Sequence, residues 1–241
     1  MGKNIYQEKF RLRVSDYDCH DRLNVSSILD LCQDVAGKHA DELKVGFDDF
    51  IKENKVWMIL RTQIEFVEYP SLSSTVLVKT WPHQPNRIDM DRDYLITSED
   101  GSKVFVKASQ KWVGCSSITR SLIRARDIHF DIDGYYEERL FDNDFSKLDF
   151  DDSSFEEVVT KTSYLDLDHN GHINNVKYFN YILNSISELQ GKVIKKMQID
   201  YLHELAKNLE VLLKYKIDDK TIYVKGYSNN IESFACKIII E

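Results

Sequence analysis

Two stretches of this sequence recur in the same order. Asp18-Cys19-His20-Asp21-Arg22-Leu23-Asn24 lies over Asp168-His169-Asn170-Gly171-His172-Ile173-Asn174, sharing the aspartate, the final asparagine and an aliphatic residue before it. Further on, Gln63-Ile64-Glu65-Phe66-Val67-Glu68-Tyr69 lies over Gln198-Ile199-Asp200-Tyr201-Leu202-His203-Glu204, and the next strand starts at matching positions, Val76 against Val211. Self-similarity of this kind marks one supersecondary unit used twice, which restricts the fold to what a single copy can build.

Within each copy the patterning alternates between two periods. After Asn24, Ile28, Leu31, Cys32, Val35 and Leu43 recur near a period of 3.6, with Asn24 or Ser26 available as cap. After Asn174 and Asn175, Val176, Phe179, Leu183 and Ile186 do the same. The runs at 62–67, 75–80 and 109–113 are rich in β-branched and aromatic residues with rough alternation, as antiparallel strands require. Each copy is therefore expected to be a leading strand, a long helix and several antiparallel strands, an α+β unit in which a curved sheet wraps the helix. A single α+β domain with a coincidental match is the alternative. The boundary is expected between 125 and 160. There Asp142-Asn143-Asp144-Phe145-Ser146 and Asp149-Phe150-Asp151-Asp152-Ser153-Ser154 gather negative charge and turn formers, giving a first domain over 1–140, an acidic linker over 141–154 and a second domain over 155–241.

Composition narrows the partners. A formal net charge of −8 over 241 residues argues against nucleic acid, whose phosphates need a basic face. An acidic protein partner would need a local basic patch, and Arg120, Arg124 and Arg126 offer one, although such clusters are usually solvated surface. Cys19, Cys32, Cys115 and Cys236 are widely spaced and read as free thiols. No run approaches the roughly 18 apolar residues of a membrane span. The start lacks a signal-peptide pattern, and Tyr6 stands where a myristoylation motif at Gly2 needs Ser or Thr, so a cytosolic protein is expected.

Duplicated halves need only one active site, so the positions at which the copies differ are informative. The second loop offers Asp168, Asn170 and His172 where the first has Asp18, His20 and Arg22, and the second copy's later strand offers Glu204 where the first has Tyr69. An imidazole and a carboxylate at the mouth of a helix make a water-activating pair. The unsatisfied N–H groups of the helix's first turn would stabilise a carbonyl oxygen as it becomes negative, at roughly 3 kcal/mol for one donor. Asp168, Asn170 and Asn174 are also turn and capping types, and Glu204 alone would read as a surface carboxylate. A metal site built from Asp166, Asp168, His169, His172 and His203 is a competing reading, though their spacing follows no common ligand pattern.

The stretch Asp166-Leu167-Asp168-His169-Asn170-Gly171-His172-Ile173-Asn174-Asn175-Val176-Lys177-Tyr178 resembles the active-site signature of the acyl-acyl carrier protein thioesterases of plants and bacteria, Asp-Leu-Asp-x-Asn-x-His-Val-Asn-Asn-x-x-Tyr. The first half is similar through Trp57-Met58-Ile59-Leu60-Arg61-Thr62-Gln63-Ile64-Glu65-Phe66 with Tyr69-Pro70, and through Arg92-Asp93-Tyr94-Leu95. The resemblance runs from about residue 5 to the end of the chain. It implies a tandem (double) hotdog fold with the chemistry in the second half. The implied reaction is hydrolysis of the thioester between a fatty acyl chain and the phosphopantetheine arm of acyl carrier protein, releasing free fatty acid and ending chain extension. It carries the catalytic positions onto Asp168, Asn170, His172 and Glu204, with helix N–H groups at Asn175 and Val176 completing an oxyanion hole. Plant members have a cysteine after the matching glutamate, where this chain has Leu205, which favours direct attack by water. Trp57, Met58 and Ile59 are candidates for the wall of an acyl tunnel in the first half, with a core role at least as well supported. No metal or cofactor is implied, and either a monomer or a homodimer fits. Two other functions keep the fold: an acyl-coenzyme A thioesterase, and a non-catalytic acyl-binding module, against which the Asn170, His172 and Glu204 set argues.

Overall fold

The computed structural model describes residues 3–142 and 145–241, so Gly2 and, in the acidic stretch, Asn143 and Asp144 lie outside the described residues. The described residues pack as two compact units, one of residues 3–60 with 66–142 and the other of residues 61–65 with 145–241. Among the described residues no helix is long and apolar enough to cross a membrane.

In the first unit the elements run β1 (Tyr6–Arg11), α1 (Val25–Glu42), α2 (Phe47–Lys52), β2 (Lys55–Phe66), β3 (Thr75–Pro82), β4 (Asp89–Ser98), β5 (Val104–Ser116) and β6 (Leu122–Ile123). The strands are ordered β1-β3-β4-β5-β2, with the short β6 paired to β5. Helix α1 begins after Asn24 and buries Val25, Ile28, Leu29, Cys32, Val35 and Ala36 along one face, which packs on β3. On β3, Val76, Val78 and Thr80 are buried while Thr75, Leu77 and Lys79 are partly open, the period of two that a half-covered sheet imposes. A second apolar cluster joins Leu43, Val45, Phe50, Met90, Ile128 and Phe130.

One buried polar residue in α1 sets a pH dependence. His39 is fully buried, with Nε2 2.8 Å from the Lys3 carbonyl and Nδ1 3.1 Å from Arg92 Nη1. The guanidinium can only donate, so Nδ1 is the acceptor and Nε2 carries the proton to Lys3. Burial, reinforced by the Arg92 charge, pushes the imidazole from 6.5 down to about 4. The unfolded chain therefore takes up a proton that the folded one refuses. The contribution is whole above pH 6.5 and declines as pH falls through the window down to about 4. It amounts to about 3 kcal/mol, and His39→Gln is expected to flatten this part of the acid side in denaturant titrations across the window.

In the second unit the elements are β7 (Glu156–Lys161), α3 (Tyr178–Ser185), β8 (Ile194–Tyr201), β9 (Glu210–Asp218), β10 (Thr221–Ser228) and β11 (Ile231–Ile240). The strand order is β7-β9-β10-β11-β8, and the free side of β8 pairs with residues 61–65, Arg61 opposite Asp200 and Gln63 opposite Gln198. The helical segment here differs from the long helix expected. It opens with a 3₁₀ turn (Asn175–Lys177), continues as the eight-residue α3 and leaves helical geometry at Ile186, before a last 3₁₀ turn at Ser187–Leu189. Serines flank the β-branched Ile186, and both residue types favour non-helical backbone. Ile186 and Leu189 stay buried, so the apolar period survives the break. Gly226 marks a bulge between β10 and β11, where a Cβ would run into the Phe234 ring.

Residues 145–155 lie against this second unit. Phe150 meets Tyr223 edge-on at 5.2 Å and stacks with Phe155, Asp152 accepts a hydrogen bond from the Tyr227 hydroxyl at 2.8 Å, and the Leu148 N–H donates to Asp200.

Candidate active site

The two loops aligned by sequence have the same hydrogen bonds. In each, a 3₁₀ turn (Val14–Asp16 or Tyr164–Asp166) precedes an isolated bridge, Tyr17 to Leu23 or Leu167 to Ile173. The Asp18 N–H donates to the Arg22 carbonyl, and the Asp168 N–H to that of His172, both at 2.8 Å. The aspartate carboxylate then turns inward. Asp18 Oδ1 accepts from the N–H groups of His20 (2.8 Å) and Arg22 (3.0 Å), and Asp168 Oδ1 from those of Asn170 (2.8 Å) and His172 (3.1 Å). These are side-chain turns that an aspartate closes without help from distant residues. The fourth loop residue has positive φ in both copies, +58° at Asp21 and +81° at Gly171, a conformation easiest for glycine.

The copies part at the residue that closes the loop. Arg22 folds back on Asp18 Oδ2, with Nη2 at 2.8 Å, forming an internal ion pair. Burial would raise the Asp18 carboxyl, but the two N–H donors and the Arg22 guanidinium outweigh it and hold the group below the usual carboxylate range. His172 turns instead toward the segment that follows β8, placing Nε2 3.3 Å from Glu204 Oε2, with both side chains about one-third exposed (32% and 36%). The separation follows from backbone pairing one residue further on, where the Ile173 N–H donates to the Leu205 carbonyl at 2.8 Å. Asn170 stands exposed at the loop tip.

The helix mouth departs from expectation at one donor. The Val176 N–H is held by Asn174 Oδ1 at 3.1 Å, so it is not available to an oxyanion in this geometry. Asn174 is the asparagine cap the sequence anticipated, and an asparagine immediately before a helix takes the N–H two residues on. Asn175 keeps its N–H at the first helical position, where no intrahelical acceptor exists.

Of the five residues of the metal reading His169 is exposed, and the other four have different partners. Asp166 Oδ2 accepts from the Tyr181 hydroxyl at 2.6 Å, Asp168 is occupied by its loop, His172 faces Glu204, and His203 Nδ1 lies 2.7 Å from the Glu232 carbonyl. Among the described residues, no three His, Cys, Asp or Glu side chains gather as a metal set. Cys32, Cys115 and Cys236 are buried, and burial pushes the Cys32 and Cys236 thiols well above their usual range.

Trp57, Met58 and Ile59 lie half-buried on β2 in the first unit. Trp57 stacks on Phe50 at 4.6 Å and donates its Nε1–H to the Val45 carbonyl at 2.8 Å, which is the packing of a core residue. Arg120, Arg124 and Arg126 are exposed, with Arg126 3.8 Å from Asp127. The patterning missed the tyrosines of the second helical segment: Tyr178 and Tyr181 are buried among its apolar residues, and only their hydroxyls, absent at Ile28 and Leu31 of the first copy, mark them out.

The pattern of the Acyl-ACP thioesterase N-terminal domain matches residues 3–131, and that of the Acyl-ACP thioesterase C-terminal domain matches residues 150–239. Among plant proteins, the oleoyl-acyl carrier protein thioesterase of Coriandrum sativum is 27% identical over 93% of this chain and 66% of its own length. Oleoyl-acyl carrier protein thioesterase 2 of Arabidopsis thaliana is 29% identical over 83% of this chain and 59% of its own. The chain thus spans between about half and two-thirds of the curated relatives it matches. The backbone superposes on an acyl-ACP thioesterase from Bacteroides thetaiotaomicron with a TM-score of 0.85 at 22% identity, covering 99% of this chain and 98% of that one. On the 12:0-ACP thioesterase of Umbellularia californica the TM-score is 0.82 at 18% identity, over 98% and 97%. With family patterns covering both units and a fold shared along the whole length, this α+β double hotdog chain belongs to the acyl-ACP thioesterase family.

Proposed function

We propose that the protein hydrolyses the thioester of a fatty acyl-acyl carrier protein, releasing free fatty acid and ending chain extension. The observation that carries this reading is the approach of His172 Nε2 to Glu204 Oε2, 3.3 Å apart, in the copy whose counterpart has Arg22 and Tyr69 instead. The pair activates a water, whose oxygen adds to the thioester carbonyl carbon while a proton passes to the pair. Asn170 holds the carbonyl or the water, Asp168 keeps the loop in shape, and the Asn175 N–H supports the developing oxyanion. Collapse of the tetrahedral intermediate breaks the carbon–sulfur bond, and the proton returns to the pantetheine thiolate as it leaves. With Leu205 after Glu204, no thiol is placed for a covalent acyl-enzyme, and attack by water suffices.

In this reading residues 155–241 form the catalytic domain, residues 1–140 the domain that holds the acyl chain, and residues 141–154 the connection between them. The carrier arrives through its phosphopantetheine arm, in the cytosol.

The test is incubation with acyl carrier protein charged with a panel of saturated and unsaturated chains, beside the matching coenzyme A thioesters, with free acid as readout. Release from the carrier protein is expected, with a salt-sensitive KM that reports protein contacts. Release from coenzyme A thioesters alone would reassign the carrier, and tight acyl binding without release would make the protein an acyl-binding module.

A further inference from the structure

Two tyrosines, Tyr178 buried and Tyr201 half-buried, occupy positions that are apolar in the first copy. Tyr178 matches Ile28, and Tyr201 matches Phe66. Both matches hold in the backbone. Asn24 and Asn174 donate to the equivalent carbonyls of Asp16 and Asp166. The successive N–H groups of Val67 and Glu68 converge on Phe105, as those of Leu202 and His203 do on Ser233.

A buried hydroxyl is unfavourable unless bonded, and these bonds run to informative places. The Tyr178 oxygen accepts the Leu205 N–H at 3.2 Å, one residue after Glu204. The Tyr201 hydroxyl donates to the Asn175 carbonyl at 3.3 Å, at the helix mouth. The two rings meet edge to face, 5.2 Å apart at 90°, and Phe234 closes the other side of Tyr178 at 5.4 Å. Burial keeps both hydroxyls protonated, with the Glu204 and Asp168 charges adding to the effect at Tyr178.

The first copy shows what the scaffold needs without chemistry. Its residue matching Leu205 is Pro70, which has no N–H, and its residue matching Tyr178 is Ile28, which has no hydroxyl. Donor and acceptor are both absent there, and both are present beside His172 and Glu204. Packing alone has an apolar solution in the protein's own other half.

Resting on the thioester-hydrolase reading, we infer that Tyr178 and Tyr201 are positioning residues for the reaction. Tyr178 holds the backbone that carries Glu204 against His172, and Tyr201 holds the Asn175 peptide, so one aromatic pair registers both walls of the site.

The experiment compares Tyr178→Phe and Tyr201→Phe with the wild type on acyl-acyl carrier protein. We expect kcat to fall about 30-fold and about 5-fold, with KM within about twofold, because loss of alignment acts on the transition state more than on binding. Thermal midpoints are expected to stay close to that of the wild type. A second readout is independent of turnover: in Tyr178→Phe the His172 ring ¹⁵N resonances should move toward those of Glu204→Gln. If Tyr178→Phe does not fold, Tyr178→Ile with Leu205→Pro copies the pair the first half already tolerates, and the same loss of kcat is expected. Wild-type kcat in either folded variant, or His172 resonances unchanged in Tyr178→Phe, would overturn the inference. A wild type that hydrolyses none of the thioesters would refute the functional reading instead, leaving the resonance comparison to decide this one.

Discussion

His172→Ala is expected to lower kcat on a fatty acyl thioester by about 10³-fold, with the fold intact, and Glu204→Gln by a similar factor. The imidazole and the carboxylate face each other at 3.3 Å, and both side chains keep about a third of their surface exposed, so removing either leaves no buried charge behind. Their loss should therefore appear in turnover and not in the melting curve. If the two act as one unit on a single water, the double variant falls no further than the worse single one, because once one partner is gone the other has little left to contribute. Full additivity would mean that His172 and Glu204 serve separate steps. Turnover by His172→Ala within tenfold of the wild type would sink the assignment of the pair.

Arg61→Ala has the largest expected effect on stability, about 3–5 kcal/mol, read from urea unfolding. Asp200 has no solvent exposure, and its Oδ1 takes Arg61 Nε at 2.8 Å and Gln198 Nε2 at 3.0 Å, while Oδ2 takes the Leu148 N–H at 2.7 Å. Arg61 also donates Nη1 to the Phe145 carbonyl and lies 5.6 Å over its ring. Alanine at 61 would leave Asp200 buried without its cation and remove the anchor of residue 145, so cleavage by protease near 145–148 should accelerate as stability falls. Replacing both partners, as Arg61→Met with Asp200→Leu, is expected to recover most of the loss, since an apolar pair leaves no uncompensated charge. Equal destabilisation by the single and double replacements would show that the hydrogen bonds to Gln198 and Leu148, and not the charge pair, dominate.

The duplication and the loops were legible because their geometry is local. An aspartate that closes a turn on the N–H groups two and four residues ahead needs only its own neighbours, so Asp18 and Asp168 write the same loop twice. The asparagine cap at Asn174, the start of α1 after Asn24 and the strand period of β3 are local in the same sense. The residues that differ between the copies, Asn170, His172 and Glu204, could be named by comparison alone.

Contacts between distant parts of the chain were another matter. Which way His172 turns depends on the Ile173–Leu205 pairing, a hydrogen bond between segments far apart in sequence. Two things needed the folded chain: the assignment of residues 61–65 to the second unit, and the occupation of the Val176 N–H by Asn174. Helical spacing passed over Tyr178, yet its hydroxyl meets an N–H that proline removes from the other copy. Periodicity reports which face of an element is covered. Only the tertiary structure decides which polar atom meets which, because that depends on distances of a few tenths of an ångström between elements that share no local sequence.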